Sequence, residues 1–447
     1  MDKDSLSKLI EQNAKTYETL SDAVWESPEL CYKETTAAAL HVEALKAAGF
    51  KVTCPAYGIN TAYLAEYGER SPVIALLSEY DALDGMSQEA DANVRSPIIP
   101  GGPGHGCGHQ LLGAAVVEAG AAVKAAMEQE GVKGTLRILG CPAEEGGGGK
   151  VFLIRAGAFK DVDIALSWHP NDEHGAQDSA LAVVIALFSF TGKAAHAAAA
   201  PEKGRSALDA AELMNVGTQF LREHVPDDVR IHYAFHDVGG LAANVVQANA
   251  KLQYVIRAKK NATVLDVYSR ICDIAKGAAL MAGVEVSEPV IVGAYADFIP
   301  NETLGGLINK HQNACLPIEY TEEELAYAKR FQKDGKAAEP ICSKPPKKRE
   351  GPGGSTDLAD VSWVVPTGAF YAACSALGTV PHSWELVAQG KSSIAHKGMH
   401  HAAEVLAASA LDLFADPTLV DAAKADFAKA TQGEAYKSLL PEDAEPQ

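Results

Sequence analysis

The chain has 447 residues, of which 47% are hydrophobic, and a formal net charge of −19. That length gives a prior of two or three domains, and the apolar share is enough for a large buried core. An acidic surface argues against nucleic acid and anionic membranes as partners, because both carry the same sign of charge.

Residues 1–20 are charged and amphipathic, without the apolar stretch of a secretory signal, and no run of 18 apolar residues is present to span a membrane. The eight cysteines are scattered without the spacing of a disulfide scaffold. Reduced thiols and a cytoplasmic location are the expectation.

Residues 5–30 and 34–50 read as helices, the second stopped by Gly49. Residues 61–68, 72–83, 135–145 and 161–170 read as strands, two of them nearly continuous in apolar residues. Such strands alternating with helices predict an α/β fold with a central, mostly parallel sheet flanked by helices. The middle of the chain differs. Residues 180–192 read as a strand, 206–225 as a helix, 231–240 and 250–259 as strands, 261–283 as a helix and 284–296 as a strand. The order β-α-β-β-α-β is the ferredoxin-like pattern. It predicts an inserted domain over residues 178–300 within a discontinuous main domain of residues 1–177 and 301–447. Beyond it, residues 321–336 read as a helix capped by Thr321, residues 337–357 as a Pro/Gly-rich loop, and residues 392–414 as a final helix before an acidic, fraying tail.

Four polar clusters fall at the ends of these elements, where open α/β sheets bind ligands. "SEYDAL" offers Glu79 and Asp81; "GHGCGHQ" offers His105, Cys107 and His109; "CPAEEGGGG" offers Glu144 and Glu145; "WHP" offers His169. Thiolate, imidazole and carboxylate form the donor set of zinc and similar divalent ions. Cys107 and His109 are two apart and point the same way in an extended loop. Each cluster alone has an ordinary reading: a glycine-rich turn, a solvated corner, a histidine bonded to backbone. Four together point to a metal centre. Adjacent side chains diverge, so one of Glu144 and Glu145 can ligate while the other serves a water as general base. "EEGGGGKV" lacks the first glycine and the Ser/Thr of a phosphate loop, and "GGSTD" fails the nucleophile elbow at its last position.

"HGCGH", "CPAEEGGGGK", "WHP", "AAHAAAAPEKGRSALDAAELM" and "HSWELVAQGKSSIAHKGM" together resemble a family of metal-dependent amidohydrolases and metallopeptidases. It contains aminoacylases, hydrolases of indole-acetyl amino acids and of p-aminobenzoyl-glutamate, and glutamate carboxypeptidases. The likeness runs over residues 13–414. It implies an α/β catalytic domain, an inserted domain that forms a homodimer, and two divalent ions per chain, zinc or manganese. Carried over by motif, Cys107, His109, Glu145 and His169 are metal ligands and Glu144 is the general base. His382 is preferred to His396 as the last ligand. His196 is expected to hold the oxyanion, often in the partner's active site, and Asn244, Gly354 and Ser355 to lie near substrate. Glu79-Tyr80-Asp81 departs from the family's usual His-x-Asp or Asp-x-Asp, and Gln110 stands where the indole-acetyl hydrolases have Asp. Asp81 is then expected to orient a ligand, and Glu79 has no assigned role. Lys150 and Arg205 could grip a substrate carboxylate, though each reads more simply as a surface or structural charge. The function implied is hydrolysis of the amide of an N-acyl amino acid or small peptide. The alternatives are a metal-binding subunit that is non-catalytic or depends on a partner chain, and a mononuclear hydrolase.

Overall fold

The computed structural model describes residues 3–332, 339–344 and 353–446. Part of the loop expected at 337–357, and the end of the helix expected at 321–336, lie outside the described residues.

The larger sheet has seven strands, in the spatial order Lys51–Thr53, Tyr63–Gly68, Thr135–Gly140, Val73–Ser78, Ile164–Asn171, Thr367–Ala373, Gly175–Ala176. The four strands from Thr135–Gly140 to Thr367–Ala373 run parallel, and the others pair antiparallel at the edges. Val73–Ser78 is buried at every position, as a strand covered on both faces must be. Ile74 and Leu76 face one helical layer, with Leu112 and Val116 of His109–Glu130 and Leu406 of Ser393–Ala415. Ala75 and Leu77 face the other, with Val151 and Leu153 of Gly149–Arg155 and Val361 of Leu358–Ser362. His109–Glu130 is long and apolar enough to cross a membrane. Here its apolarity serves a different end, because it lies almost wholly inside the main domain.

The smaller sheet draws its strands from between Ala182 and Tyr295. Ala182–Thr191 pairs antiparallel with Asn249–Ala258 on one side, and with both Glu285–Val286 and Val290–Tyr295 on the other; Arg230–Asp237 is the outer strand. The last strand expected from sequence is thus two pieces. Pro289 sits at the break, where it can donate no ladder hydrogen bond. Helices Ala207–Leu221 and Asn261–Ala282 bury Met214, Val267 and Ile271 against this sheet.

The C-terminal part of the chain departs further from the sequence reading. Thr367–Ala373 is an interior strand of the larger sheet, although "TGAFYAA" is rich in Ala and Gly, residues of low β-propensity. Nor is 392–414 the last helix: Pro417–Thr431 follows, capped by Asp416 with proline at its first turn. The tail beyond it is pinned, not frayed. Tyr436 donates to Asp360 Oδ1 at 2.8 Å, and Arg155 donates to the carbonyls of Leu440 and Pro441 at 2.9 Å.

Candidate metal centre

The carboxyl ends of the parallel strands converge on one cavity of about 550 Å³. Glu79 follows Val73–Ser78 directly, Glu144 and Glu145 follow Thr135–Gly140, and His169 lies on Ile164–Asn171. The loop before His109–Glu130 adds Cys107. Gly108 makes this loop fit: its φ is +81°, and a Cβ there would meet Pro170 Cγ at 2.7 Å. Only glycine lets the Cys107 loop lie against the His169–Pro170 strand end. Cys107 Sγ is consequently 3.3 Å from His169 Nε2.

Each imidazole is oriented from behind. His109 Nδ1 donates to Asp81 Oδ1 at 2.8 Å, so its Nε2 faces the cluster. His169 Nδ1 donates to the Pro170 carbonyl at 2.8 Å, which turns its Nε2 toward Cys107. The other oxygen of Asp81 accepts from the Glu145 backbone N at 2.8 Å, so one buried carboxylate sets both His109 and the Glu145 loop. His382 arrives from the far end of the chain. Its backbone N donates to the Gly106 carbonyl at 2.8 Å, its φ is +58°, and its Nε2 lies 3.2 Å from Glu145 Oε1. A positive φ in a residue with a Cβ is a strained conformation of the kind found at functional sites.

The loop carrying the two glutamates is tied on every side. Ala143 N donates to Glu34, Tyr32 OH to the Gly147 carbonyl, Tyr295 OH to the Glu144 carbonyl and Cys31 Sγ to the Glu145 carbonyl. Burial, reinforced by Glu79, Glu145 and Asp357, pushes the Glu144 carboxyl well above the usual carboxylate range. Burial works on Glu145 in the same direction, but the hydrogen bond from His382 and the charge of His109 hold it below that range. Neighbouring carboxyls pushed in opposite directions are the arrangement that separates a proton carrier from a permanent anion.

The donor set fits divalent ions. Cys107, His109 and His169 offer ligand atoms all within 4.8 Å of one another; so do Cys107, Glu145 and His382, and so do Glu79, His109 and Glu144. His109 Nε2 and Glu79 Oε2 are buried without a hydrogen-bond partner. Buried polar atoms left without partners beside one another are satisfied when a cation sits between them.

The remaining expected residues divide in two. Gly354 and Ser355 line the cavity. His196 and Asn244 do not line it within the chain: both are exposed on the smaller domain, where Ala197 N donates to the Asn244 carbonyl at 3.0 Å and His196 Nδ1 accepts from Ala198 and Ala199. His396 points elsewhere, to Asp22 at 3.0 Å. His105 bonds the Val24 carbonyl. Lys150 is wholly buried between Glu79 and Asp357, and Arg205, exposed on the smaller domain with Nη1 bonded to the carbonyls of Glu202 and Gly204, does not line the cavity.

Sequence reasoning missed Arg257. It reaches the cavity from Asn249–Ala258 of the smaller sheet, and among the described residues its Nε has no partner. Burial alone lowers its pKa, with no carboxylate opposing. A lone arginine on the half-buried face of a strand was the only signal.

A model of the peptidase family M20/M25/M40 matches residues 75–439. The chain belongs to that family. It is 40% identical to one of the subunits of p-aminobenzoyl-glutamate hydrolase in Escherichia coli K12, over 98% of this chain and 97% of that one. It is 30% identical to Xaa-Arg dipeptidase of Mus musculus, over 94% and 90% of the two chains. Among solved structures, the Bacillus subtilis YXEP protein, described as a dinuclear metal-binding peptidase of the M20 family, superposes with a TM-score of 0.55 at 17% identity, over 88% of this chain and 99% of that one. In this M20 chain the candidate ligands come from a Cys-x-His loop, a Glu-Glu pair and a distant histidine.

Proposed function

We propose that this M20 hydrolase cleaves the amide bond of a small substrate with a free carboxylate, an N-acyl amino acid or short peptide of the p-aminobenzoyl-glutamate or dipeptide type, with two divalent ions, zinc or manganese. The observation that carries the reading is Glu144: a buried carboxyl, pushed up in pKa, opening onto the same cavity as the ligand cluster. Cys107, His109, Glu145, His169 and His382 would hold the ions. Bound there, divalent cations would supply Lewis acidity, easing deprotonation of water and polarising the amide carbonyl. Glu144 takes the proton from the attacking water and delivers it to the departing amine. Asp81 keeps His109 and the Glu145 loop in register throughout. Arg257 pairs with the substrate carboxylate, while Gly354 and Ser355 flank the substrate. His196 and Asn244 serve the cavity of a second copy, steadying the oxyanion there, in a homodimer formed through the smaller domain. Their exposure away from the chain's own cavity supports this.

The test is hydrolysis by the purified chain, supplied with zinc or manganese, of p-aminobenzoyl-glutamate, N-acetyl amino acids and Xaa-Arg dipeptides. Release of amine from at least one class is expected. No turnover of any, with the metal content intact, contradicts the reading. A second reading, catalysis only with another chain, is favoured by the E. coli relative's being one component of a multi-chain hydrolase by name. Activity of the single chain removes it.

Arg257→Met tests the carboxylate contact. Losing a charge-assisted hydrogen bond costs roughly 1.5–3 kcal/mol, so KM should rise on the order of 10–100-fold with kcat little changed. Equal KM values for the variant and the native chain would remove Arg257 from the substrate site.

A further inference from the structure

Glu79 has no part in the reaction just described, yet it is buried at the centre of the cluster. Its two oxygens face different surroundings. Oε1 lies 2.6 Å from Lys150 Nζ, which lies 2.5 Å from Asp357 Oδ1. Oε2 has no hydrogen-bond partner and lies 3.5 Å from His109 Nε2, which has none either. Glu144 Oε2 is 4.0 Å from the same nitrogen. The Nδ1 hydrogen of His109 is committed to Asp81, so a His109 that ligates an ion through Nε2 does so on the side that Glu79 faces. Both atoms are buried at the wall of the cavity that Glu79 lines. Their separation is that of two ligands on one tetrahedral ion, whose ~2.0–2.2 Å bonds put neighbouring donors about 3.4 Å apart.

We propose that Glu79 is itself a metal ligand, sharing an ion with His109, and that Lys150 and Asp357 anchor its other oxygen. This rests on the reading of the cluster as a divalent-metal centre. The charge supports it. Glu79, Asp81, Glu144, Glu145 and Asp357 are five carboxyls against the single ammonium of Lys150. Fully ionised, they leave four negative charges, and a ligating Cys107 thiolate adds a fifth, an excess that divalent cations offset. Asp357 matches Lys150, so the charge of Glu79 remains available to the ion. Asp357 also accepts from the Lys150 backbone N at 2.8 Å, which fixes the lysine on its helix and leaves the ammonium a single position. The ion-facing oxygen of Glu79 is thereby aimed without any contact of its own.

The test is metal binding, not turnover. Glu79→Gln and Glu79→Ala are loaded by equilibrium dialysis at fixed free zinc, and separately with cobalt, whose visible absorption reports its ligands. The native chain is expected to hold two ions. Both variants should bind one of them at least about tenfold more weakly, with an altered cobalt spectrum and unchanged far-UV circular dichroism. Added acetate should restore the native cobalt spectrum to Glu79→Ala, which a merely structural role does not predict. Glu79→Ala with native affinity and spectrum overturns the proposal, whatever Glu79→Gln does, and so does a spectrum that acetate leaves unmoved. A native chain that takes up no ion refutes the metal centre itself, a separate result.

Discussion

Glu144→Gln is expected to keep the bound metal and to lower kcat by about 10²–10⁴-fold, the range assigned to a positioned general acid–base. The side chain keeps its shape, so the loop tied by Tyr32, Glu34, Asp81 and Tyr295 has no reason to move. What is lost is the proton site. The carboxyl is pushed up by burial and by three neighbouring carboxylates, which makes it a better proton acceptor than an ordinary glutamate. An amide in its place also removes like-charge repulsion from Glu79, Glu145 and Asp357, so the variant should be no less stable than the native chain. Metal analysis, a thermal midpoint and kcat on one preparation check all three statements. Native turnover in this variant would remove Glu144 from the chemistry.

Lys150→Met should destabilise the fold by about 3–5 kcal/mol, the cost of removing one partner from a buried ion pair. Lys150 and Asp357 have no exposed surface, and Glu79 is 3% exposed. Methionine fills a similar length but leaves two buried carboxylates without their cation. The loop from Gly353 to Thr356 lines the cavity and runs directly into Asp357, so kcat/KM should fall as well. Adding Asp357→Asn to Lys150→Met removes one orphaned charge and should recover part of the loss, a coupling that a double-mutant cycle measures. Urea unfolding of the four chains provides the numbers. A loss below about 1 kcal/mol, typical of a solvent-exposed pair, would contradict the buried network.

The parts of the centre with a local signature were legible in the sequence. Cys107 and His109 lie two apart on a glycine-rich turn, Glu144 and Glu145 are adjacent after an apolar strand, and His169 ends another strand. Strand ends converge in an open α/β sheet, so Cys107 and His169, 62 apart in sequence, could be placed at one site. His382 needed the resemblance, because nothing in its own neighbourhood marks a ligand. It reaches the centre only through a loop held to Gly106. Lys150 reads in the sequence as a surface or structural charge that could also grip a substrate, because a lysine carries no sign of burial until its partners are known. Its partners stand 71 residues before it and 207 after it. Arg257 was invisible for a related reason: the alternation in Asn249–Ala258 places it on the half-buried face, but not which domain that face meets. The Ala-rich strand Thr367–Ala373 shows tertiary context overriding propensity. Its flanking positions in the sheet, next to Ile164–Asn171, are what make it a strand.

The central claim is that this cluster holds divalent metal. The most direct measurement is metal content per chain, by elemental analysis of protein purified without chelator and then equilibrated with zinc or manganese. About two ions per chain, with loss in Cys107→Ala, is the predicted result. A chain that binds no ion under either supply would contradict the account and reduce "GHGCGHQ" to a structural turn.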